Sequence, residues 1–157
     1  MIVLAVERLG AGDVEAMRAA NQLFGEVFGE EGYHGPRPGD DYLRKLLGDD
    51  KFIALTARID GEMAGALAGY ELIKFEAERS EIYIYDLAVR EEFRRRGVAT
   101  ALIEALKPIA REVGAWMIYV QADPPDAPAV ALYDKLGTRE EVFHFDISPD
   151  GGLSARR

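Results

Sequence analysis

Cysteine is absent from this 157-residue sequence, and it contains only two histidines, His34 and His144. Without thiols the chain forms no disulfide and offers neither a thiolate zinc ligand nor a cysteine nucleophile. Two isolated histidines also argue against a histidine-based metal site, so we predict no metal. The N-terminal apolar run ends at Glu7, which is too short for a signal peptide or a membrane span. We therefore expect a cytoplasmic protein with no membrane partner.

Basic residues are outnumbered: 19 lysines and arginines face 28 aspartates and glutamates, for a formal net charge of -9. The field of such a chain repels nucleic acid and attracts polycations. We predict no nucleic-acid partner and a small polycationic substrate. The alternative, that net charge serves only solubility, accounts for the composition equally well.

The remaining composition is that of a globular protein, with 48% hydrophobic and 30% charged residues. We find no internal repeat, low-complexity block or interdomain linker. The length suits one compact core. We therefore predict a single domain over residues 1–148 and a loose C-terminal tail over 149–157.

Hydrophobic periodicity predicts a mixed order of strands and helices. The Asp60-Gly61 dipeptide between two apolar runs predicts a hairpin. Pro108 lies inside a helical pattern and should kink that helix or shorten its last turn. The predicted strands cover 2–6, 51–59, 62–75, 81–89, 115–123 and 139–147, and the predicted helices cover 13–29, 41–47, 98–113 and 126–137. The candidate N-cap residues of three of these helices are Asp13, Asp41 and Asp126. This order indicates a mixed α/β sheet.

The densest basic run, Arg94, Arg95 and Arg96, lies where a helix is predicted to begin. Cations are disfavoured at that end of a helix, because its N–H groups already form the positive pole. A phosphate would resolve the conflict, and Gly97 leaves the backbone open to one. The sequence matches neither the dinucleotide pattern G-x-G-x-x-G nor the P-loop. It has R-x-x-G-x-A instead, directly after a predicted strand.

The segments "SEIYIYDLAV", "RRRGVATALI", "PAVALYDKLG" and "REEVFHFDI" resemble the GNAT acyltransferases. The resemblance is closer to the aminoglycoside 3-N-acetyltransferases of the gentamicin-acetylating type. It covers nearly the whole chain and weakens only in residues 30–40 and in the tail. It implies an α/β (α+β) fold with a mixed, mostly antiparallel sheet flanked by helices. It also implies acetyl-CoA as the cosubstrate.

The resemblance further assigns roles to individual residues. Tyr133 would protonate the leaving thiolate; the alternative is a plain core aromatic. Asp126 and Ala129 would lie against the cofactor, but Asp126 stands where the superfamily often has asparagine, so an amide contact would be lost. The pantetheine arm would bind the backbone of Leu87, Ala88 and Val89. The pyrophosphate would bind Arg94, Arg95, Arg96, Gly97, Val98, Ala99 and Thr100.

Acetyl transfer to an amine also needs a proton acceptor, since amines are largely protonated at neutral pH. Asp86 interrupts the apolar run "IYIYDLAV" and is our candidate base. A structural carboxylate is the alternative. The acids Asp123, Glu140, Glu141 and Asp146 are candidates for an electronegative cleft that binds several ammonium groups, with Glu30, Glu31, Asp40 and Asp41 as its outer wall. Each of these acids could instead be an ordinary solvated charge.

The predicted function is transfer of acetyl from acetyl-CoA to the 3-amino group of an aminoglycoside such as gentamicin, which would confer antibiotic resistance. Attack would be direct, because no cysteine is present to carry an acyl group. Two alternatives stay open: a polyamine or other small-amine acetyltransferase, and a non-catalytic acyl-CoA sensor. The resemblance also makes a homodimer possible.

Overall fold

The computed structural model describes residues 3–29 and 36–152. The chain divides into two compact units, Met1–Gln121 and Ala122–Arg157. Of the residues named above, Glu30, Glu31 and His34 lie outside the described residues.

The first unit is built on a five-stranded sheet in the order β1-β2-β3-β4-β5. Its first four strands are antiparallel neighbours, whereas β5 runs parallel to β4. The strands are β1 Leu4–Arg8, β2 Phe52–Ile59, β3 Glu62–Ile73, β4 Ser80–Val89 and β5 Ala115–Val120. The helices of this unit are α1 Val14–Phe28, α2 Asp40–Gly48 and α3 Val98–Glu112. The predicted mixed sheet is therefore confirmed.

The predicted hairpin between β2 and β3 is confirmed. Asp60 and Gly61 both have positive φ, 49° and 88°. Two such residues form the tight turn whose twist matches that of the flanking antiparallel strands. The Asp60 carboxylate also accepts a hydrogen bond from the Val3 N–H at 3.1 Å, which ties the start of the chain to the turn.

The helix starts differ in detail from prediction. Asp13 precedes α1 as expected, but its carboxylate accepts the Gly10 N–H at 2.7 Å and makes no bond into the helix. The predicted cap of α2, Asp41, is wrong, because that helix already begins at Asp40 with Gly39 before it. Helix α3 continues through Pro108 to Glu112, so the proline does not shorten it appreciably.

The core has one layer on each face of the sheet. Alternate strand residues point to opposite faces. Phe52 and Ala54 of β2 therefore pack with apolar residues of α1 and α2, including Leu23, Phe24 and Leu43. The other face receives α3, whose buried side chains are Val98, Leu102, Ile103, Leu106 and Ala110.

The second unit contains helix α4, Ala127–Leu136. The predicted cap is confirmed, because the Asp126 carboxylate accepts the Ala129 N–H at 3.3 Å. The predicted strand over 139–147 is wrong: residues 138–148 have no regular structure. Their apolar side chains are exposed, namely Val142, Phe143, Phe145 and Ile147. Alternation alone does not make a strand, because its backbone groups need a neighbouring ladder, and the described residues provide none here.

Within the described ranges, no helix is long and apolar enough to cross a membrane. The same residues include no group of three or more acidic or histidine side chains placed to hold a metal ion.

Candidate active site

The C-terminal half of β4 has one open edge. Its pairing with β5 ends at Ile84, opposite Val120. The next residues, Leu87 to Val89, pair with β3 on one side only. On the other side, no strand among the described residues reaches them. The Val89 carbonyl oxygen accepts a hydrogen bond from Arg94 Nε at 3.4 Å. The other outward backbone groups of this segment are placed to pair with an extended ligand that adds as a further strand.

A β-bulge lies just before this open edge. Asp86 is opposite Ala68 and Ile84 is opposite Gly69, so Tyr85 is the extra residue of the bulge. Gly69 is required at this point, because a Cβ there would lie 2.8 Å from the Tyr83 carbonyl oxygen. Bulges of this kind redirect side chains beside functional sites.

Asp86, the predicted base, lies at this bulge and is half-buried. Asp86 is opposite Ala68 in the ladder with β3, so the two side chains lie on the same face of the sheet. Tyr70 is two residues after Ala68 in β3 and therefore lies on that face as well. Burial raises the pKa of Tyr70, and the negative charge of Asp86 contributes to the rise together with Tyr42 and Tyr85. The carboxylate is thus placed beside the open edge, on a face that carries hydroxyl groups.

The arginine run forms a compact loop between β4 and α3. A single 3-10 turn over Glu91–Phe93 follows β4. Two residues of the loop then adopt left-handed conformations, Arg95 with φ 64° and Gly97 with φ 77°. For a residue with a Cβ, such as Arg95, this conformation is strained. Left-handed residues alternating with ordinary ones turn successive N–H groups toward one point, which favours an anion there.

The segment from Arg95 to Thr100, where this loop meets α3, is called the anion loop. The first bond into α3 runs from the Ala101 N–H to the Gly97 carbonyl oxygen at 2.9 Å. Within the described residues, the six N–H groups from Arg95 to Thr100 find no acceptor. No side chain caps the helix. Six open donors at the positive pole of a 15-residue helix are an arrangement that favours an anion.

Gly97 is needed for its conformation. A Cβ there would have no neighbouring atom within 4 Å, so the protein itself would not crowd it. The left-handed φ is what an ordinary side chain resists. The backbone conformation is therefore one reason for a glycine at this position, and the approach of a phosphate stays a prediction.

Arg90 anchors the chain just before the anion loop, and it was not among the predicted site residues. Its N–H donates to the Ala64 carbonyl oxygen at 2.8 Å. Its guanidinium donates to the Met63 carbonyl oxygen at 3.1 Å and to the Glu26 carboxylate at 3.1 Å. These bonds tie the end of β4 to β3 and to α1, so the loop begins from a fixed point.

Gly65 is a second residue that sequence reasoning missed. A Cβ at this β3 position would lie 2.8 Å from Val98 Cγ1 and 2.9 Å from the Ala88 carbonyl oxygen. The absence of a side chain therefore lets the first turn of α3 rest directly on the sheet. The only signal was a glycine inside a strand pattern, which often marks a close approach.

Tyr133, the predicted acid, lies on α4 in the second unit and is half-buried. Burial raises the pKa of its hydroxyl, and the charge of Asp126 raises it further. The phenol is therefore protonated at neutral pH. Asp126 and Ala129, predicted against the cofactor, bond each other in the helix cap.

The predicted substrate acids of the second unit are exposed. The Asp146 carboxylate lies 2.9 Å from His144 Nε2. Glu141 helps to raise the pKa of Arg139, after the larger effect of Asp134. Of the proposed outer wall in the first unit, Asp40 binds Arg18 and Asp41 binds Arg44. These ion pairs reduce the charge that the wall could offer to a cationic substrate.

The structure thus brings together, within the first unit, the candidate base, the open strand edge and the anion loop. The candidate acid, Asp126, Ala129 and the acids Asp123, Glu140, Glu141 and Asp146 belong to the second unit.

Two solved structures with this architecture come from uncultured soil metagenomic samples. The chain is 56% identical to one aminoglycoside acetyltransferase of this origin, with a TM-score of 0.90 over 93% of this chain and 98% of that one. Another aminoglycoside acetyltransferase of soil metagenomic origin, in complex with sisomicin, is 31% identical, with a TM-score of 0.85 over 92% and 95% of the two chains.

Among curated proteins, an N-alpha-acetyltransferase of Sulfurisphaera tokodaii is 32% identical over 92 residues, which are 54% of this chain. The chain spans 55% of the length of that relative. The acetyltransferase (GNAT) family model matches residues 17–138, which contain every strand from β2 onward and the whole anion loop. The chain therefore belongs to the GNAT acetyltransferase family.

Proposed function

We propose that this protein transfers the acetyl group of acetyl-CoA to the 3-amino group of an aminoglycoside. The proposal rests mainly on one observation: the open edge of β4 and the anion loop lie next to each other. Together they match an extended arm that ends in a pyrophosphate. Acetyl-CoA, which the GNAT family uses, has that shape and supplies the activated thioester.

The residues of the first unit fit this cosubstrate. The backbone of Leu87, Ala88 and Val89 would bind the pantetheine arm as an added strand. The N–H groups from Arg95 to Thr100 would bind the pyrophosphate, and the guanidinium groups of Arg94, Arg95 and Arg96 would add charge-assisted hydrogen bonds.

Asp86 would accept the proton of the attacking amine, directly or through one water. Its position beside the open edge and its half-buried state support this role. A carboxylate in such a place also attracts the ammonium form of the substrate before the proton is lost. Tyr133 would return a proton to the leaving thiolate, and its raised pKa keeps that proton available at neutral pH.

The aminoglycoside part of the proposal rests on the 56% identical aminoglycoside acetyltransferase and on the net charge of -9. Each carboxylate gains from a substrate with several ammonium groups. The 3-amino position rests on the sequence resemblance. Transfer to linear polyamines and acyl-CoA sensing without turnover are the competing functions.

The first test follows thiol release from acetyl-CoA by the purified protein. Gentamicin, an analogue without the 3-amino group, spermidine and a lysine peptide would be offered in turn. We expect turnover with gentamicin and none with the analogue. Turnover with spermidine alone would indicate a linear polyamine, and not an aminoglycoside, as the substrate. Acetyl-CoA binding without turnover on any amine would favour the sensor.

We expect Asp86→Asn to lower kcat/KM by about 10²-fold, the usual contribution of a general base. The loss should be largest at low pH, where more of the amine is protonated and help is most needed. A kcat/KM profile from about pH 6 to 9 measures this. Asp50→Asn, at an exposed carboxylate paired with Lys51, is the matched control. A variant whose profile overlays that of the unaltered protein would remove Asp86 from the catalytic residues.

A further inference from the structure

One face of the sheet carries a row of aromatic side chains that neither the anion loop nor the open edge uses. Phe52 is opposite Tyr70, Tyr70 is opposite Tyr83, and Tyr83 is opposite Tyr119. The row therefore crosses four adjacent strands. Phe52 is buried beneath α1 and α2, while the tyrosines extend from there toward solvent.

The rings of this row are in contact. The Tyr83 and Tyr119 rings are stacked, with centroids 4.7 Å apart and planes 6° from parallel. Tyr85, the bulge residue, lies edge-on to both of its neighbours, 5.7 Å from Tyr83 and 6.1 Å from Tyr70. These contacts fix the four tyrosines as one continuous surface, which we call the tyrosine row.

The tyrosine row is accessible. Tyr85 is 47% exposed and Tyr70 is 38% exposed, and Tyr83 and Tyr119 are half-buried. The Tyr83 hydroxyl donates to Gln121 Oε1 at 3.0 Å, which sets the tilt of its ring. Contiguous exposed aromatic side chains on a sheet often mark a site for a ligand or partner.

Carboxylates flank the tyrosine row. Asp86 lies on the same sheet face as Tyr70. Burial raises the pKa of the Tyr119 phenol, and the Glu81 carboxylate, which is also paired with Lys74 at 3.5 Å, raises it further. Burial raises the pKa of Tyr70 as well. Both phenols are therefore neutral at physiological pH and keep hydroxyls that can donate.

Flat aromatic faces and carboxylates select for one kind of ligand. The CH faces of a six-membered sugar ring pack on aromatic rings, and ammonium groups on the same ring are attracted both to the π face and to nearby carboxylates. A linear polyamine has the charges but no ring face to stack. From this juxtaposition we propose that the tyrosine row binds an amino-sugar ring of the acceptor and selects ring-bearing polyamines over linear ones.

This inference rests on the proposed acetyltransferase function, because Asp86 at the bulge is both the candidate base and one flank of the row. A ring stacked on Tyr85 would hold its amino groups next to Asp86 and the open edge. The row would thus orient the acceptor, whereas the acidic residues alone would only attract it.

The test compares Tyr85→Leu, which keeps apolar bulk but removes the aromatic face, with Tyr85→Phe, which keeps the face. We expect Tyr85→Leu to raise the KM for sisomicin about fivefold to tenfold, the range of one lost ring contact. The KM values for spermidine and acetyl-CoA should stay unchanged. Tyr85→Phe should behave like the unaltered protein. Phe75→Leu, at a 97% exposed aromatic on the turn between β3 and β4, is the matched control.

An unchanged sisomicin KM in Tyr85→Leu would overturn the inference, and so would an equal rise for sisomicin and spermidine. If Tyr85→Leu fails to fold in a thermal melt, Tyr119→Leu and Tyr119→Phe repeat the comparison on β5. Failure of the proposed function looks different, because the unaltered protein would then release no thiol with any amine. In that case calorimetric binding of sisomicin to the unaltered protein and to Tyr85→Leu still tests the row.

Discussion

Replacing Tyr133 by phenylalanine is expected to lower kcat by about 10²- to 10³-fold, within the range for loss of a general acid. The variant removes one oxygen and keeps the ring, so α4 should keep its packing. The affinity for acetyl-CoA should stay unchanged, because the proposed binding groups are backbone groups of β4 and the anion loop. Steady-state kinetics with gentamicin and calorimetry with acetyl-CoA measure the two quantities separately.

Tyr42→Phe, on the exposed side of α2, is the matched control for this prediction and should keep the full rate. The raised pKa of Tyr133 adds a pH test. Because the acid is active in its protonated form, kcat of the unaltered protein should hold until the pH passes the ordinary phenol value of about 10. A Tyr133→Phe variant that keeps most of its rate would assign the proton to another donor. If neither the unaltered protein nor the variant turns over any amine while both bind acetyl-CoA, the sensor function is favoured.

Gly65→Ala is expected to weaken acetyl-CoA binding about tenfold, which corresponds to about 1.4 kcal/mol, although Gly65 is not among the proposed binding groups. Its Cβ would lie 2.8 Å from Val98 and 2.9 Å from the Ala88 carbonyl oxygen. Overpacking of this kind costs about 1–3 kcal/mol of stability. The first turn of α3 would have to move away from the sheet, and the N–H groups at the start of the helix would then point in a different direction. Calorimetry with acetyl-CoA and a denaturant titration measure the two effects.

Gly12→Ala provides the control, since a Cβ at Gly12 would have no atom within 4 Å and its φ is not in the left-handed region. It should change neither binding nor stability appreciably. If Gly65→Ala lowers stability but leaves acetyl-CoA binding intact, the loop does not depend on how α3 is seated. If neither the affinity for acetyl-CoA nor the stability changes, β3 and α3 can move apart at this contact without cost, and the close approach at Gly65 is not important.

Local patterns were sufficient for much of the fold. The hairpin at Asp60-Gly61, the strand that ends at Val89 and the helix start after Gly97 each follow from a few neighbouring residues. Their backbone requirements are local: a turn with positive φ, or a helix end without a partner for its N–H groups. For the same reason the arginine run indicates an anion site from its immediate sequence neighbours alone.

Features that depend on distant partners could not be predicted in this way. The apolar alternation in "REEVFHFDI" predicts a strand, but residues 138–148 have no ladder among the described residues. The role of Gly65 depends on Val98, 33 positions later in the numbering. The tyrosine row depends on the register of three strands, which no single segment specifies.

The bulge at Tyr85 has a consequence for how β4 can change in evolution. On either side of it, the alternation of inward and outward residues is out of phase, since two residues of β3 span three of β4 there. Removing Tyr85 would restore a single phase without turning the following residues over, because Asp86 already lies opposite Ala68 and Ala88 opposite Ala66. The strand would lose only the local bend and twist that a bulge gives it, and the direction of the Asp86 side chain would change with them. A one-residue deletion at position 85 should therefore leave the pairing of β4 with β3 intact and alter the site alone.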